Sequence, residues 1–284
     1  MSKGEKFFKI FNVVFITFFS LLIILPITNI IALSFNDGLD SVKGGIYFWP
    51  REFTFENYKV MLKNEDIYNA FIVSGMRVLI GVSAHLFITG IAAYAMSKTN
   101  LVGRSIFIKM GIITMYFSGG MIPTFLLINS LGLYNSFWVF IIPTMFSFYD
   151  MIILMNFFRN LPSSLEEAAK IDGAGVFKIF FKIIVPLSMP VFATIALFHG
   201  VYQWNDYFTA KLYIDDANLF PIQYYLYLML TSVGNQDAVK AGAVIPTQAL
   251  QQAAMVITTL PIVCIYPFLQ KYFISGMLIG GVKE

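Results

Sequence analysis

Residues 165–190 read LEEAAKIDGAGVFKIFFKIIVPLSMP. Glu166, Glu167, Lys170, Asp172, Lys178 and Lys182 crowd this stretch, yet the segments on either side are greasy enough for hydrocarbon. The chain as a whole is 58% hydrophobic and only 12% charged, with Phe abundant and a mean hydropathy of +0.73. Soluble domains carry a charged share of about 25%. These values put the chain among polytopic membrane proteins. The small net charge of +3 is spread over short loops, which gives no footprint for nucleic acid. A single Cys excludes an internal disulfide and a Cys-based metal cluster.

A helix needs about 20 mostly apolar residues to cross a bilayer. The candidates are 11–35, 70–97, 106–128, 134–157, 185–210 and 250–272, which predicts an all-α, six-span bundle forming one transmembrane domain over 1–284. The first apolar run is too long for a signal-peptide core, so it is read as a retained anchor. Placing the N-terminus in the cytoplasm puts Lys3, Lys6, Lys98, Arg104, Arg159, Lys170, Lys178, Lys182, Lys271 and Lys283 inside. Lys43, Arg51, Lys59, Lys63, Lys211 and Lys240 then fall in two longer outer loops, diluted by acids such as Asp37, Asp40, Asp215 and Asp237. The positive-inside bias supports that orientation, with both termini cytoplasmic. Lys109 can snorkel to the inner interface, and Arg77 weakly to the outer one. Pro26, Pro123, Pro143, Pro190, Pro261 and Pro267 bend spans, and Gly119-Gly120 is read as helix packing rather than a hinge. In the second outer loop, LFPIQYYLYLML is too short to span and predicts an interfacial or re-entrant helix.

On this topology the charged stretch is a cytoplasmic loop over 158–184. Ser163 and Ser164 suit an N-cap, and Ser164 with Glu167 fits a capping box. Glu166 and Glu167 then occupy the first turn, where the helix dipole favours anions. Asp172-Gly173 supplies a left-handed stop. A second helix near 175–184 sets Phe177, Phe180, Phe181 and Ile184 against Lys178 and Lys182 on its other side. The result is a helix–turn–helix elbow with a small-residue tip at Ala168 and Ala169, suited to entering another protein's cleft.

Glu167-Ala168-Ala169, then Gly173, then Ile183 and Val185-Pro186 resemble the EAA motif of ABC-importer permeases, with Val185 where that motif has Leu. GGIYFWPREFTFENYKVML, MYFSGGMIPTFLLINSLGLYNS, QWNDYF and LQKYFISGMLIGGVKE extend the resemblance over nearly the whole chain. It is to the maltose-type carbohydrate importers, in particular their Gram-positive complex-oligosaccharide branch. The resemblance implies a type I, MetI-like permease fold in a bacterial cell membrane. It implies a heterodimer with a second, homologous permease, two ATPase subunits and an extracytoplasmic solute-binding protein, with an oligosaccharide as cargo. It assigns ATPase coupling to Glu166, Glu167, Ala168, Ala169, Asp172 and Gly173. ATP and Mg belong to the partner ATPase; this chain has no G-x-x-x-x-G-K-[ST] loop and is not expected to be an enzyme or to bind a cofactor or metal.

Intramembrane polar residues mark the candidate substrate path. His199, Tyr202, Gln203 and Asp206 share one face at helical spacing, and His85, Ser83, Tyr116 and Ser118 lie near mid-depth of other spans. Aromatic faces and amides would suit a hydroxyl-rich ligand. Taken singly, each has a plainer role: His85 can bond a neighbouring helix and Asp150 can pair with a partner subunit. Three rival readings stand beside this one, the third being a membrane scaffold or receptor subunit without transport. The first is an ABC permease for a non-sugar solute. The second is a proton-coupled secondary transporter relaying through Asp150, Asp206 and the histidines, against which no internal repeat is evident.

Overall fold

A computed structural model describes residues 3–231 and 247–281. Asp237, Lys240 and Lys283 lie outside them, as does the side chain of Lys271. The described residues form helices and no strand, apart from an isolated bridge between Asn36 and Phe53.

In chain order, α1 is Lys3–Ser34, α2 Gly38–Ser41, α3 Glu56–Lys63 and α4 Glu65–Ser97. Then come α5, Arg104–Tyr116, and α6, Met121–Ser130. Two 3-10 turns, Phe137–Phe140 and Ile142–Thr144, lead into α7, Phe148–Arg159. α8 is Ser163–Ile171 and α9 Val176–Ile179; a π-helical turn, Phe180–Ile184, joins α9 to α10, Val185–Leu187. The chain continues with α11, Met189–Asn205, α12, Phe208–Tyr213, α13, Ile222–Thr231, and α14, Gln248–Gly281.

Three of these are long and apolar enough to cross a membrane as single helices: Gly4–Ser34, Glu65–Ser97 and Gln248–Pro267. The other three expected spans are bent pairs. The stretch read as 106–128 breaks by 115° between α5 and α6. That of 134–157 bends by 47° before α7, and that of 185–210 bends by 80° between α10 and α11. The sharpest break corrects the reading of Gly119-Gly120 as ordinary packing. Phe117 is extended and Gly120 sits at φ 89° and ψ 176°, a region essentially restricted to glycine that costs other residues about 1–3 kcal/mol. Ser118 Oγ accepts the Gly120 N–H at 3.2 Å and so holds the turn.

The chain divides into two compact units. The first comprises 1–68 and 225–261. The segment between α1 and α3 folds around Asn36. The Asn36 amide donates to Asp40 and Ser41 at 3.1 Å each, and its carbonyl accepts the backbone N–H groups of Arg51 and Glu52 at 2.7 and 2.8 Å. Asp37 caps α2 by accepting from Leu39 and Asp40 N–H. Buried Asp40 meets Lys43 at 3.1 Å and Arg51 at 3.3 Å. Phe35 stacks on Phe53 and packs against Phe55 and Tyr58.

The second unit, 69–224 with 262–284, is the helical bundle. Its larger core joins Ala93, Tyr94, Met151, Leu154, Phe158, Ile179, Phe180, Ile184 and Phe192. A second core gathers Ile128, Val139, Phe140, Ala210, Tyr213 and Ile214.

Candidate functional site

The charged stretch folds as an elbow. α8 begins at Ser163, two residues earlier than a Ser164 N-cap would place it. Pro162 is its N-cap and makes no side-chain cap bond, so the expected Ser164–Glu167 capping box does not form. With Ser163 already inside the helix, both serines stand at helical positions where their hydroxyls cannot take the N-cap role. α8 ends at Asp172, whose N–H reaches Ala168 O at 3.0 Å, and Gly173 follows at φ 76°.

The two faces of α8 differ. Glu166 and Ala169, at i and i+3, turn inward. Ala169 joins the larger core. Both carboxylate oxygens of Glu166 meet Lys98 Nζ at 2.5 Å, and Tyr94 donates its hydroxyl to the same group at 3.4 Å. Glu167, Ala168, Asp172 and Gly173 are exposed on the other side. Of the six residues assigned to ATPase coupling, the structure therefore leaves four free on the surface and commits Glu166 and Ala169 to the chain's own interior. Ile171, 87% exposed at the tip, adds an apolar group that the motif does not include.

The second arm runs from Val176 to Leu187 and splits the apolar side expected of it. Ile179, Phe180 and Ile184 are buried, whereas Phe177 is 70% exposed. The π turn inserts an extra residue, which rotates the register of the helix beyond it. The elbow thus presents Ile171, Val176 and Phe177 as an exposed apolar set next to Lys170 and Lys178.

Inside the bundle, the polar residues of α11 meet those of α4 and α7. Arg77 is 1% exposed and does not snorkel to the outer interface. Its guanidinium pairs with the Asp206 carboxylate, donates to Asp206 O at 2.7 Å and donates from Nε to Gln203 Oε1 at 2.7 Å. It also lies 4.4 Å over the Phe140 ring. With Gln203 Oε1 taken by a donor, its amide nitrogen faces Thr144 Oγ1 at 2.8 Å, Phe140 O at 3.1 Å and His199 Nε2 at 3.3 Å. His199 stacks on His85, ring centres 3.9 Å apart and nearly parallel. His85 reaches Thr144 O through Nδ1 and Asp150 through Nε2, both at 3.0 Å. Asp150, suggested above as a contact for another subunit, is engaged within the chain.

The structure thus gathers His85, His199, Gln203 and Asp206 into one buried network. Tyr202, half-exposed, lies at its edge with its ring centre 5.9 Å from that of His199, whereas Tyr116 stands apart, exposed beside the break after α5. Asp206 lies just beyond α11 as its C-cap rather than on its face. Sequence reasoning missed Arg77 and Lys98 as partners. The signal available for Arg77 was its presence inside a span, where a cation needs a partner. Among the described residues, no three of His, Cys, Asp and Glu are grouped to hold a metal ion.

A family model described as "Binding-protein-dependent transport system inner membrane component" matches residues 1–279. The chain is 41% identical over 273 residues to the polygalacturonan/rhamnogalacturonan transport system permease protein YtcP of Bacillus subtilis (strain 168), covering 95% of this chain and 96% of that protein. It is 40% identical to protein LplC of the same organism, covering 99% and 97%. Among solved structures, it is similar to a chain of a bacterial ABC transporter involved in the import of the acidic polysaccharide alginate. The TM-score is 0.89 at 29% identity, over 96% of this chain and 99% of that one.

Proposed function

We propose, because this chain belongs to the family of binding-protein-dependent transport system inner membrane components, that it is the permease subunit of an ABC importer for oligosaccharides. In this reading it spans the cell membrane several times with both termini in the cytoplasm. It pairs with a second, homologous permease, receives cargo from an extracytoplasmic solute-binding protein, and is driven by two ATPase subunits that hold the ATP and Mg. The chain contributes transport rather than catalysis. YtcP and the alginate importer handle polysaccharide-derived cargo by name, which supports the cargo class.

The observation that carries the coupling role is the two-faced α8. One face is anchored by Ala169 and Glu166, and the other leaves Glu167, Ala168, Ile171, Asp172 and Gly173 open. A short helix anchored on one side and bare on the other is built to receive a partner. Amphipathic helices bind by laying one face into a groove, and the apolar Ile171 with small Ala168 is suited to that. When the ATPase dimer closes, α8 is displaced as a lever and the spans on either side of it follow. Tyr202 and Tyr116, aromatic and exposed, are our candidates for contact with sugar along the path. His85, His199, Gln203 and Asp206 shape that path from behind.

The test is reconstitution of the permease pair, ATPase and binding protein in proteoliposomes. ATP-dependent uptake of an oligogalacturonide or a neutral oligosaccharide, requiring the binding protein, supports the reading. Uptake by the permease alone on a proton gradient supports the secondary-transporter alternative.

A further inference from the structure

Glu166 stands next to the E-A-A residues but does a different job. Its carboxylate is 16% exposed and gripped by Lys98 through both oxygens. Lys98 directly follows α4, its N–H bonded to Ala95 O at 3.2 Å. A cation at a helix C-terminus is favoured there by the helix dipole. Its ammonium lies 4.2 Å over the Tyr94 ring, which fixes it from below. Tyr94 is itself wedged in the core, 5.2 Å from the Phe180 ring and 6.3 Å from that of Phe158. Arg104, at the start of α5, donates to Met96 O at 2.7 Å and ties the next helix to the same end of α4.

The sequence connects α8 directly to α7 and to the arm leading into α11, but not to α4. The contacts supply what the chain does not. From this geometry we infer that the Lys98–Glu166 pair is the strut through which displacement of α8 reaches α4 and, with it, α5. An exposed ion pair is worth little to stability. This one is two-pronged, shielded and backed by an aromatic ring, so breaking it strands a half-buried carboxylate. That makes it suited to holding distance and direction rather than to adding stability. Glu166 and Lys98 act here as positioning residues, engaged with each other and with Tyr94. The inference rests on the ABC-importer reading above.

The experiment uses the complete reconstituted complex and reads two quantities together, ATP hydrolysed and oligosaccharide taken up. Glu166→Gln and Lys98→Gln are expected to keep the ATPase bound and hydrolysing while uptake per ATP falls several-fold. Lys98→Arg, and the exchange Lys98→Glu with Glu166→Lys, are expected to restore most of it; should the exchange fail to yield folded protein, Lys98→Arg alone decides. Wild-type uptake per ATP in Glu166→Gln would overturn the strut. So would loss of ATPase binding in that variant, which would make Glu166 a docking residue, or failure of the charge-keeping variants to rescue. Absence of ATP-driven uptake in the wild-type complex would instead refute the importer reading.

Discussion

Arg77 and Asp206 meet inside the bundle, the guanidinium of α4 against the carboxylate of the residue that follows α11. The pair fixes two spans that are far apart in sequence. Removing one partner from such a buried pair costs about 3–5 kcal/mol, because the remaining charge is stranded. Arg77→Ala and Asp206→Ala should each lower the thermal midpoint of the detergent-solubilised protein sharply. Replacing both by apolar residues should cost less than the sum of the two. Additive losses would show that the pair does not act as a unit.

Gly81 makes room for the same network. A Cβ built there would lie 2.8 Å from Gln203 Nε2. Gly81→Leu should displace Gln203 and disturb its bonds to Arg77 and His199, with an overpacking cost of about 1–3 kcal/mol. Melting of Gly81→Leu beside Gly75→Leu checks this, since a Cβ at Gly75 meets nothing within 4 Å. Equal midpoints would contradict it.

Gly173 acts through backbone conformation. It sits at φ 76° with open space around the missing Cβ. Gly173→Val should therefore strain the elbow by about 1–2 kcal/mol, while Asn, which tolerates left-handed backbone, should be accepted. Uptake per ATP in the reconstituted complex should fall for Val and hold for Asn. Equal coupling in both variants would mean that the turn is unimportant to force transfer.

Asp40 gives the segment between α1 and α3 a pH dependence. Its carboxyl is held below the ordinary value of 3.8, chiefly by the Asn36 hydrogen bond and then by Lys43 and Arg51, against the opposing effect of burial. A depressed carboxylate stabilises the fold fully above its unfolded pKa, and that contribution is lost as pH falls toward the folded value. Amide exchange at Leu39, Asp40 and Ser41, corrected for its intrinsic pH dependence, should quicken below about pH 4 in the wild type. In Asp40→Asn the corrected exchange should show no such step.

The apolar runs that bound the six expected spans were legible in composition because hydrocarbon demands about 20 apolar residues per crossing. Pro123, Pro143 and Pro190 flagged the three spans that bend, but not how sharply or at which residue, because Gly120 or Ser188 turns the chain through local geometry that leaves hydropathy unchanged. The elbow was legible through its charges and Gly173. Its inner face was not, since Lys98 lies 68 residues before Glu166 and only packing of α4 against α8 brings them together. Helical spacing put His199, Gln203 and Asp206 on one side of a helix, but it could not say what faced them. Arg77 of α4 and Phe140 O before α7 answer that, and they turn an expected polar lining into a bonded network.

The central claim is that α8 docks into an ATPase on the cytoplasmic side, and cross-linking tests it most directly. In a Cys264→Ser background, Ala168→Cys should cross-link to the ATPase subunit in sealed membranes, with a yield that changes on adding ATP. It should resist a membrane-impermeant thiol reagent applied from outside. Labelling from outside, or no cross-link in a complex that transports, would contradict the account.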